Sequence, residues 1–302
     1  MTDNRRAKHV VNAISVDVED WFQVGAFERV IDRESWDRQD CRVERNTDAV
    51  LELFDAAGVK GTFFTLGWVA ERYPALMRRI VAQGHELASH GYGHARIFSF
   101  TPEQFGQDID RARGLLEDAS GQAITGYRAP NFSLDARTPW AHPMLAERGY
   151  RYSSSVAPVA HDHYGWAASP RFAWRPLADD GLVELPVTTA RLGNRRLAAG
   201  GGGFFRLLPY RFSHWAVRQV NGEGEGAIIY FHPWEIDPGQ PRVADAPLKA
   251  KLRHYSRLEA MAGKLARLLG DFRFGRVDAI AEAKRAAGLP VWRPQADLRA
   301  AA

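Results

Sequence analysis

The sequence has almost no cysteine, no long apolar run and no dense block of basic residues. Cys41 is the one cysteine among 302 residues, which excludes a scaffold built on disulfides. No stretch approaches the ~20 apolar residues of a membrane span, and acidic residues interrupt the N-terminal region too early for a secretory signal. We therefore expect a cytoplasmic chain. The formal net charge of +4 is small, so nucleic acid is not an expected partner.

Short apolar segments alternate instead with amphipathic ones. The predicted strands are 9–18, 59–66, 85–89, 124–128, 150–155, 183–187 and 227–231. Between most of them lie segments with helical spacing of apolar residues or a proline at a helix start. Strands that alternate with helices pair in parallel, and six or seven of them suffice for an α/β barrel.

The C-terminal region differs in charge from the rest. Residues 241–302 contain 13 Lys/Arg and 6 Asp/Glu, against 27 and 30 in residues 1–240. We predict a barrel over 1–240 and a helical extension over 241–302, with a long basic amphipathic stretch at 248–269. Packing on the barrel is the expected role of this extension, while contact with an anionic membrane surface or a second copy in a homo-oligomer are alternatives. The glycine run 200–203 is predicted to be a mobile loop.

Three acidic residues follow the first predicted strand. Asp17 and Glu19 are two residues apart, so strand alternation points both side chains to one side, whereas Asp20 falls in the turn. Alone, such a cluster is typical of a solvated loop that caps a helix. Histidines at another strand end favour a functional interpretation.

The segment SHGYGH directly after strand 85–89 contains His90 and His94. This H-x3-H spacing offers two imidazole nitrogens to one metal ion, and Gly91 and Gly93 indicate an irregular loop. Two histidines and one carboxylate leave coordination positions open, as in catalytic sites. Zinc is favoured, with cobalt, manganese or nickel as alternatives.

Two further polar residues stand at strand ends. Arg128 in YRAPNFS would pair with a carboxylate at the barrel mouth and orient it. His232 in IIYFHPWE follows the most apolar strand, where it is placed for general acid or base catalysis.

The ordered set SVDVED, SHGYGH, YRAPNF, ELP and FHPWE resembles the NodB-homology polysaccharide deacetylases, carbohydrate esterase family four. DVEDWFQV, HDHYGW and the C-terminal LRHYSRLEAMAGKLARLLGDF resemble, more narrowly, the subfamily found beside exosortase (PEP-CTERM) exopolysaccharide loci. The resemblance covers nearly the whole chain. It implies a distorted (β/α)7 barrel, a divalent metal and removal of an acetyl group from an N-acetylated sugar.

The resemblance also implies residue roles. Asp17 corresponds to the catalytic base, His90 and His94 to metal ligands, Arg128 to the residue that orients the base, and His232 to the general acid.

The sequence departs from the usual family pattern at two places. Val18 stands where a second aspartate is common, so Glu19 becomes the expected third ligand and Asp20 the alternative. Serines occupy 153–155, where an aspartate followed by two serines is usual. The acid that supports His232 is therefore open, with Asp162 as a candidate.

Substrate contacts are expected from the loops at the same end of the barrel. A backbone N–H of Asn131 or Phe132 would stabilise the oxyanion. Most aromatic residues there are expected in the core, while one or two, with Tyr92, Phe132 and Trp234 as candidates, would stack on sugar rings. Glu184 is expected to be structural.

The expected substrate is an N-acetylated sugar polymer or a lipid-linked oligosaccharide. An amidohydrolase for a small non-carbohydrate amide is an alternative, because allantoinase-like relatives of this fold share the D-x-D variation. A non-catalytic glycan-binding protein is a second alternative, but it would be expected to have a damaged catalytic set, and this set is intact.

Overall fold

Parallel strands arranged around an apolar core organise the chain. The structure, a computed structural model, describes residues 10–160, 164–178 and 181–293. Its strands are β1 (Asn12–Val18), β2 (Thr62–Thr65), β3 (Glu86–Ser89), β4 (Gly126–Tyr127), β5 (Tyr152–Ser153), β6 (Val183–Glu184), β7 (Thr189–Leu192), β8 (Arg195–Ala198), β9 (Ile228–Phe231) and β10 (Phe274–Gly275). Its α-helices are α1 (Val43–Ala56), α2 (Gly67–Arg72), α3 (Pro74–Ala82), α4 (Pro102–Ser120), α5 (Ala141–Glu147), α6 (Gly202–Leu207), α7 (Tyr210–Gly222), α8 (Leu248–Tyr255), α9 (Met261–Asp271) and α10 (Val277–Ala287).

The main sheet has eight strands, of which β1–β6 and β9 form the predicted barrel. The main sheet runs in the order β10-β1-β2-β3-β4-β5-β6, and β9 also pairs with β1. The ring closes next to β6, where Thr188 donates its backbone N–H to the carbonyl oxygen of Ile228 at 3.2 Å and Ile228 donates its own to Thr188 Oγ1 at 2.6 Å. Because single residues rather than a ladder make this closure, the barrel is distorted. The predicted fold class, a distorted (β/α)7 barrel, is confirmed.

Local sequence signals explain where the elements begin and end. All seven residues of β1 are buried, as expected for a central parallel strand. Thr101 and Gln104 form a capping box at the start of α4, and Gly121 ends this helix with φ 68°, a conformation that suits glycine. The carboxyl ends of the parallel strands meet at one mouth of the barrel.

The C-terminal region differs from the sequence prediction. The expected continuous helix over 248–269 is broken between α8 and α9, where Arg257 has a left-handed φ of 57°. The region is also not purely helical, since β10 pairs with β1; a strand of two residues has no periodicity that a sequence pattern could reveal. The division at residue 240 stays a prediction. Within the described residues, no helix is both long and apolar enough to span a bilayer.

The glycine run at 200–203 is another difference, because it is not simply a loop. Gly202 is the first residue of α6, and Gly201 bridges to Tyr230 of β9. The prediction of a mobile loop was wrong for these two residues. Glycine is needed at position 200 because another backbone approaches it closely: a Cβ atom on Gly200 would lie 2.6 Å from the carbonyl oxygen of Ile228.

Candidate active site and metal centre

The end of β1 brings two acidic side chains into the barrel mouth. Asp17 and Glu19 are both buried. Asp20 is also buried, but its carboxylate is occupied by backbone donors: Oδ1 accepts the N–H of Trp21 at 2.8 Å, while Oδ2 accepts those of Arg42 at 2.6 Å and Val43 at 2.8 Å. Asp20 thus fixes the start of α1. It does not belong to the metal-ligand group found in the described residues, so the alternative assignment of Asp20 as a ligand is not supported.

Glu19, His90 and His94 form that group. One potential ligand atom from each lies within 4.8 Å of the others, and all three residues are buried. The loop after β3 brings both histidines to Glu19, and His94 adopts a left-handed φ of 54°. This strained conformation is unusual for a residue other than glycine and is typical of functional sites.

The three residues fit a divalent metal ion. His90 Nδ1 lies 2.9 Å from the carbonyl oxygen of Arg128, which leaves Nε2 with a free lone pair. Burial lowers the pKa of His90 to about 4, so this imidazole is neutral, as a metal ligand must be. Glu19 Oε2 is buried without a well-formed hydrogen bond, although His94 Nε2 lies 2.6 Å away. Two lone-pair atoms at this distance require a proton or a cation between them.

Arg128 holds Asp17 in place. Its fully buried guanidinium donates from Nη1 to Asp17 Oδ1 at 2.6 Å and to Ser15 Oγ at 2.8 Å. The other side of the guanidinium donates to the carbonyl oxygen and the hydroxyl of Ser154 at 3.1 and 3.0 Å. Phe64 lies under the guanidinium at 4.0 Å. Three of these hydrogen bonds fix the guanidinium, and the fourth, to Asp17 Oδ1, orients the carboxylate.

His232 lies on the other side of the ligand group. Its Nε2 is 3.4 Å from Glu19 Oε1, and its Nδ1 is 2.7 Å from Glu235 Oε1. Burial alone would lower the pKa of His232, but the carboxylates of Glu19 and Glu235 raise it to about 9. Both carboxylates thus favour the protonated, acidic form of the imidazole.

The same carboxylates have lowered pKa values. Burial would raise the pKa of Glu19, whereas His94 and His232 lower it to about 2. Burial also acts to raise the pKa of Glu235, and the charges of Arg206 and His232 lower it to about 2.

Two candidate sugar-stacking residues have their ring faces covered. Arg111 lies 3.5 Å over the ring of Tyr92, whose hydroxyl donates to Glu71 at 2.8 Å. Trp234 stacks on His232 and on His254, with ring centroids 5.2 and 4.1 Å apart. Arg111 therefore occupies one face of the Tyr92 ring, and Trp234 forms part of the wall behind His232.

Asn131 and Phe132 follow β4 in left-handed conformations, with φ values of 55° and 49°. The N–H of Phe132 is already donated to the carbonyl oxygen of Ala129 at 3.0 Å, so of the two only Asn131 is left as the backbone donor for an oxyanion. The ring of Phe132 is buried against Tyr230, with centroids 4.7 Å apart. Phe132 is therefore a core residue of the mouth and not an open platform.

The serine run and Glu184 act as structural supports. Ser155 Oγ accepts the N–H of Ala129 at 2.9 Å and the hydroxyl of Ser153 at 2.8 Å. Glu184 Oε1 accepts the N–H groups of Ser155 and Val156 at 2.8 and 2.9 Å. These contacts fix the segment after β5 that carries Ser154, the partner of Arg128.

Sequence reasoning missed Glu235 and Arg206. Glu235 is the acid that contacts His232, whereas the candidate Asp162 lies outside the described residues. A signal for Glu235 was present, because an acidic residue three positions after a helix N-cap is typical of a capping box, and His232 and Glu235 form one. Arg206 carried no such signal, since its 29-residue separation from Glu235 follows no motif.

Family models match most of the chain in two parts. Residues 35–152 match the family described as "Polysaccharide deacetylase". Residues 154–282 match a family described as "Domain of unknown function (DUF3473)". Asp17 and Glu19 precede both matches, while His232 and Glu235 lie in the second.

Curated relatives are similar over part of the chain. A peptidoglycan deacetylase of Helicobacter pylori (strain ATCC 700392 / 26695) is 31% identical over 107 residues, which are 35% of this chain and 36% of the relative. A chitooligosaccharide deacetylase of Bradyrhizobium sp. (strain ANU 289) is 29% identical over 133 residues, or 44% and 55% of the two chains. The similarity thus spans between a third and somewhat over half of the length of these relatives.

A solved structure from Mycobacterium smegmatis, assigned as a polysaccharide deacetylase, has the same fold along the whole chain. It superposes with a TM-score of 0.66, at 22% identity, over 96% of each chain. At this identity the likeness supports the fold and leaves the activity to the side chains of the site.

Proposed function

We propose that the protein, whose residues 35–152 match the polysaccharide deacetylase family, is a metal-dependent hydrolase of the N-acetyl group of an amino sugar. One observation carries the proposal. Asp17 is a carboxylate held by Arg128, and its charge acts on His90 of the ligand group. The imidazole of His232, hydrogen-bonded to Glu235, lies beside Glu19 of the same group. Amide hydrolysis needs a base for the water and an acid for the amine at one centre.

Glu19, His90 and His94 are the residues that would hold the metal. The chemistry supplied at such a ligand set is that of a Lewis acid, which polarises an acyl carbonyl and lowers the pKa of water. The ion itself we propose to be zinc, since two imidazoles and one carboxylate leaving an open position are typical of catalytic zinc sites. Cobalt, manganese and nickel are the ions against which this choice is tested.

Asp17 accepts the proton of the attacking water. Its Oδ1 is bonded to Arg128, so the other carboxylate oxygen is the one that takes the proton. The backbone N–H of Asn131, at a left-handed turn beside the site, is the protein donor for the negative charge that develops on the acyl oxygen.

His232 gives its Nε2 proton to the sugar nitrogen as the C–N bond breaks. Its Nδ1 is bonded to Glu235, so Nε2 is the ring atom that faces the ligand group. The hydroxyl group of the water is thereby added to the acetyl carbon, which leaves as acetate. Asp17 holds the other proton of the water, and the sugar amine leaves with a proton from His232. No covalent enzyme intermediate is required.

We further propose a role for the protein in exopolysaccharide biosynthesis. The matches to a polysaccharide deacetylase model and to the C-terminal family, together with the motifs DVEDWFQV and HDHYGW, support an enzyme of exopolysaccharide biosynthesis of the exosortase-associated type. Its substrate is then an N-acetylated polymer or a lipid-linked precursor handled in the cytoplasm. The protein would contact an anionic membrane through an exposed surface of α8. This surface contains Leu248 and Leu252, with Lys251 and Arg253 beside them.

The experiment is an acetate-release assay on protein stripped of metal and reloaded with zinc, cobalt, manganese or nickel in turn. An N-acetylglucosamine tetramer and allantoin are compared as substrates. We expect acetate and a free amine from the sugar, only after metal is restored. Hydrolysis of allantoin with an unreactive sugar would identify the small-amide alternative, and metal-independent acetate release would contradict the proposed site.

A further inference from the structure

Glu235 is a buried carboxylate whose two oxygens serve different partners. Oε1 accepts Nδ1–H of His232 at 2.7 Å and the backbone N–H of the same residue at 3.2 Å. Oε2 accepts Nε–H of Arg206 at 2.5 Å. Glu235 is 0% and Arg206 1% exposed, so the pair is shielded from solvent and leaving either charge alone would be costly.

Arg206 connects this carboxylate to the C-terminal region. Its two terminal nitrogens donate to the carbonyl oxygens of Arg253 and His254 at 3.2 Å and of Ser256 at 2.5 Å. The carbonyl groups of Arg253 and His254 belong to the last turn of α8, which lacks partners within the helix. One guanidinium therefore caps α8 and holds the acid behind His232.

The Glu235 carboxylate and the His232 ring are closely packed on both sides. A Cβ atom on Gly202 would lie 2.2 Å from Glu235 Oε1, so only glycine fits there. On the other side, Trp234 is stacked between His232 and His254. The close packing of Gly202 against Glu235, the charge of Glu235 and the stacked ring of Trp234 thus all restrict the imidazole of His232.

We propose that Glu235, held by Arg206 and the end of α8, is the positioning residue that fixes the tautomer and direction of His232. This inference rests on the proposed function, and it gives a role to the C-terminal part of the chain that matches a family of unknown function. That part would supply the acid half of the site, while the N-terminal part supplies the base and the ligand group.

The position where related enzymes usually have an aspartate cannot serve here. Ser153 occupies it, and its hydroxyl is donated to Ser155. With Nδ1–H donated to Glu235, the transferable proton of His232 is on Nε2, and after it moves to the sugar nitrogen the neutral ring keeps the tautomer with hydrogen on Nδ1. Without Glu235 the ring is free to turn or to adopt the other tautomer, with no proton facing the substrate.

The first test compares two acyl substrates that differ in their need for an acid. The metal-loaded enzyme hydrolyses an N-acetyl oligosaccharide, whose amine must be protonated, and 4-nitrophenyl acetate, whose phenolate leaves unprotonated. For Glu235→Gln we expect kcat on the amide to fall by about 100-fold or more, with at most a fewfold change on the ester, because acid catalysis contributes about 10²–10⁴-fold. Glu225→Gln, at the surface pair with Lys284, is the matched control.

The second test does not depend on activity. In 15N-histidine-labelled, metal-free protein at one fixed pH, we expect the Nδ1 proton of His232 to have the downfield shift of a strong hydrogen bond, and this signal to disappear in Glu235→Gln. Glu225→Gln should retain it. If Glu235→Gln does not fold, Arg206→Lys, which keeps the charge but loses the fork of donors that holds Glu235, takes its place. For this variant we expect a smaller loss of kcat on the amide than on removal of Glu235, no change on the ester, and an upfield shift of the Nδ1 signal.

The outcomes separate the two proposals. Equal losses on amide and ester, or an unchanged Nδ1 signal, would overturn the positioning role while leaving the deacetylase function intact. A wild-type protein inactive on every acetylated sugar, but with the Nδ1 signal lost in Glu235→Gln, would overturn the function and retain the coupling of Glu235 to His232.

Discussion

His254 provides a quantitative test of how the C-terminal region is packed. It is 2% exposed, lies against Trp234, and its Nε2 is 2.6 Å from Gln240 Oε1. Since Gln240 Nε2 donates to two carbonyl groups, Oε1 faces His254 and the ring is a neutral donor. Burial, reinforced by the charge of Arg206, lowers its pKa to about 3.

The lowered pKa makes stability depend on pH in a defined direction. The unfolded chain binds a proton at His254 below its ordinary pKa of 6.5, while the folded chain does not until about pH 3. Stability from this group is therefore fully present above pH 6.5 and is lost as pH falls toward 3. Between pH 7 and pH 5 the loss amounts to about 2 kcal/mol in the free energy of unfolding.

The assay is urea unfolding of the wild type and His254→Gln at pH 7 and pH 5. Glutamine keeps a donor for Gln240 but does not titrate, so the wild-type advantage at pH 7 should shrink by about 2 kcal/mol at pH 5. The difference in free energy of unfolding between wild type and His254→Gln does not contain the contributions of His85 and His90, because both proteins have these residues. Their pKa values are also lowered by burial. Arg253→Gln, exposed on the same helix, is the control. An advantage of equal size at both pH values would refute the reasoning.

Four further substitutions probe the mouth of the barrel. Arg128→Lys keeps the charge but cannot satisfy the four acceptors of the guanidinium, so we expect the free energy of unfolding in urea to fall by about 1–3 kcal/mol and deacetylation to fall with it; unchanged stability would contradict the buried network. Asp20→Asn should lower stability by about 1 kcal/mol through the weakened start of α1 yet leave zinc affinity unchanged by calorimetry, whereas Glu19→Gln should abolish tight zinc binding; the reverse pattern would exchange their roles. Gly202→Ala should reduce amide hydrolysis as much as loss of Glu235 does, and wild-type kinetics would show that the carboxylate has room to move.

The sequence predicted the barrel, and which polar residues meet at its mouth, where one strand and its following loop suffice. Asp17, Glu19, His90 and His94 lie at strand ends, so the rule that parallel strands end at one face was enough to bring them together. Arg128 was placed beside Asp17 for the same reason.

The sequence did not predict which residues cover the aromatic rings or which residues distant in sequence form ion pairs. Tyr92 and Trp234 are aromatic residues in the right loops, but nothing local shows that Arg111 and His254 cover their rings. The pairing of Arg206 with Glu235 depends on the path of the chain between them. The break at Arg257 was hidden because apolar spacing continues on both sides of it.

The most direct test of the proposed chemistry is acetate release from an N-acetylglucosamine tetramer, followed by proton NMR with zinc-loaded wild type and Asp17→Asn. Asp48→Asn, which alters only the surface pair with Arg79, is the matched control. We predict that the wild type and Asp48→Asn release acetate at similar rates and that Asp17→Asn is slower by about 10²–10⁴-fold. Acetate release by Asp17→Asn at the wild-type rate would contradict the assignment of this carboxylate as the base, and with it the proposed mechanism.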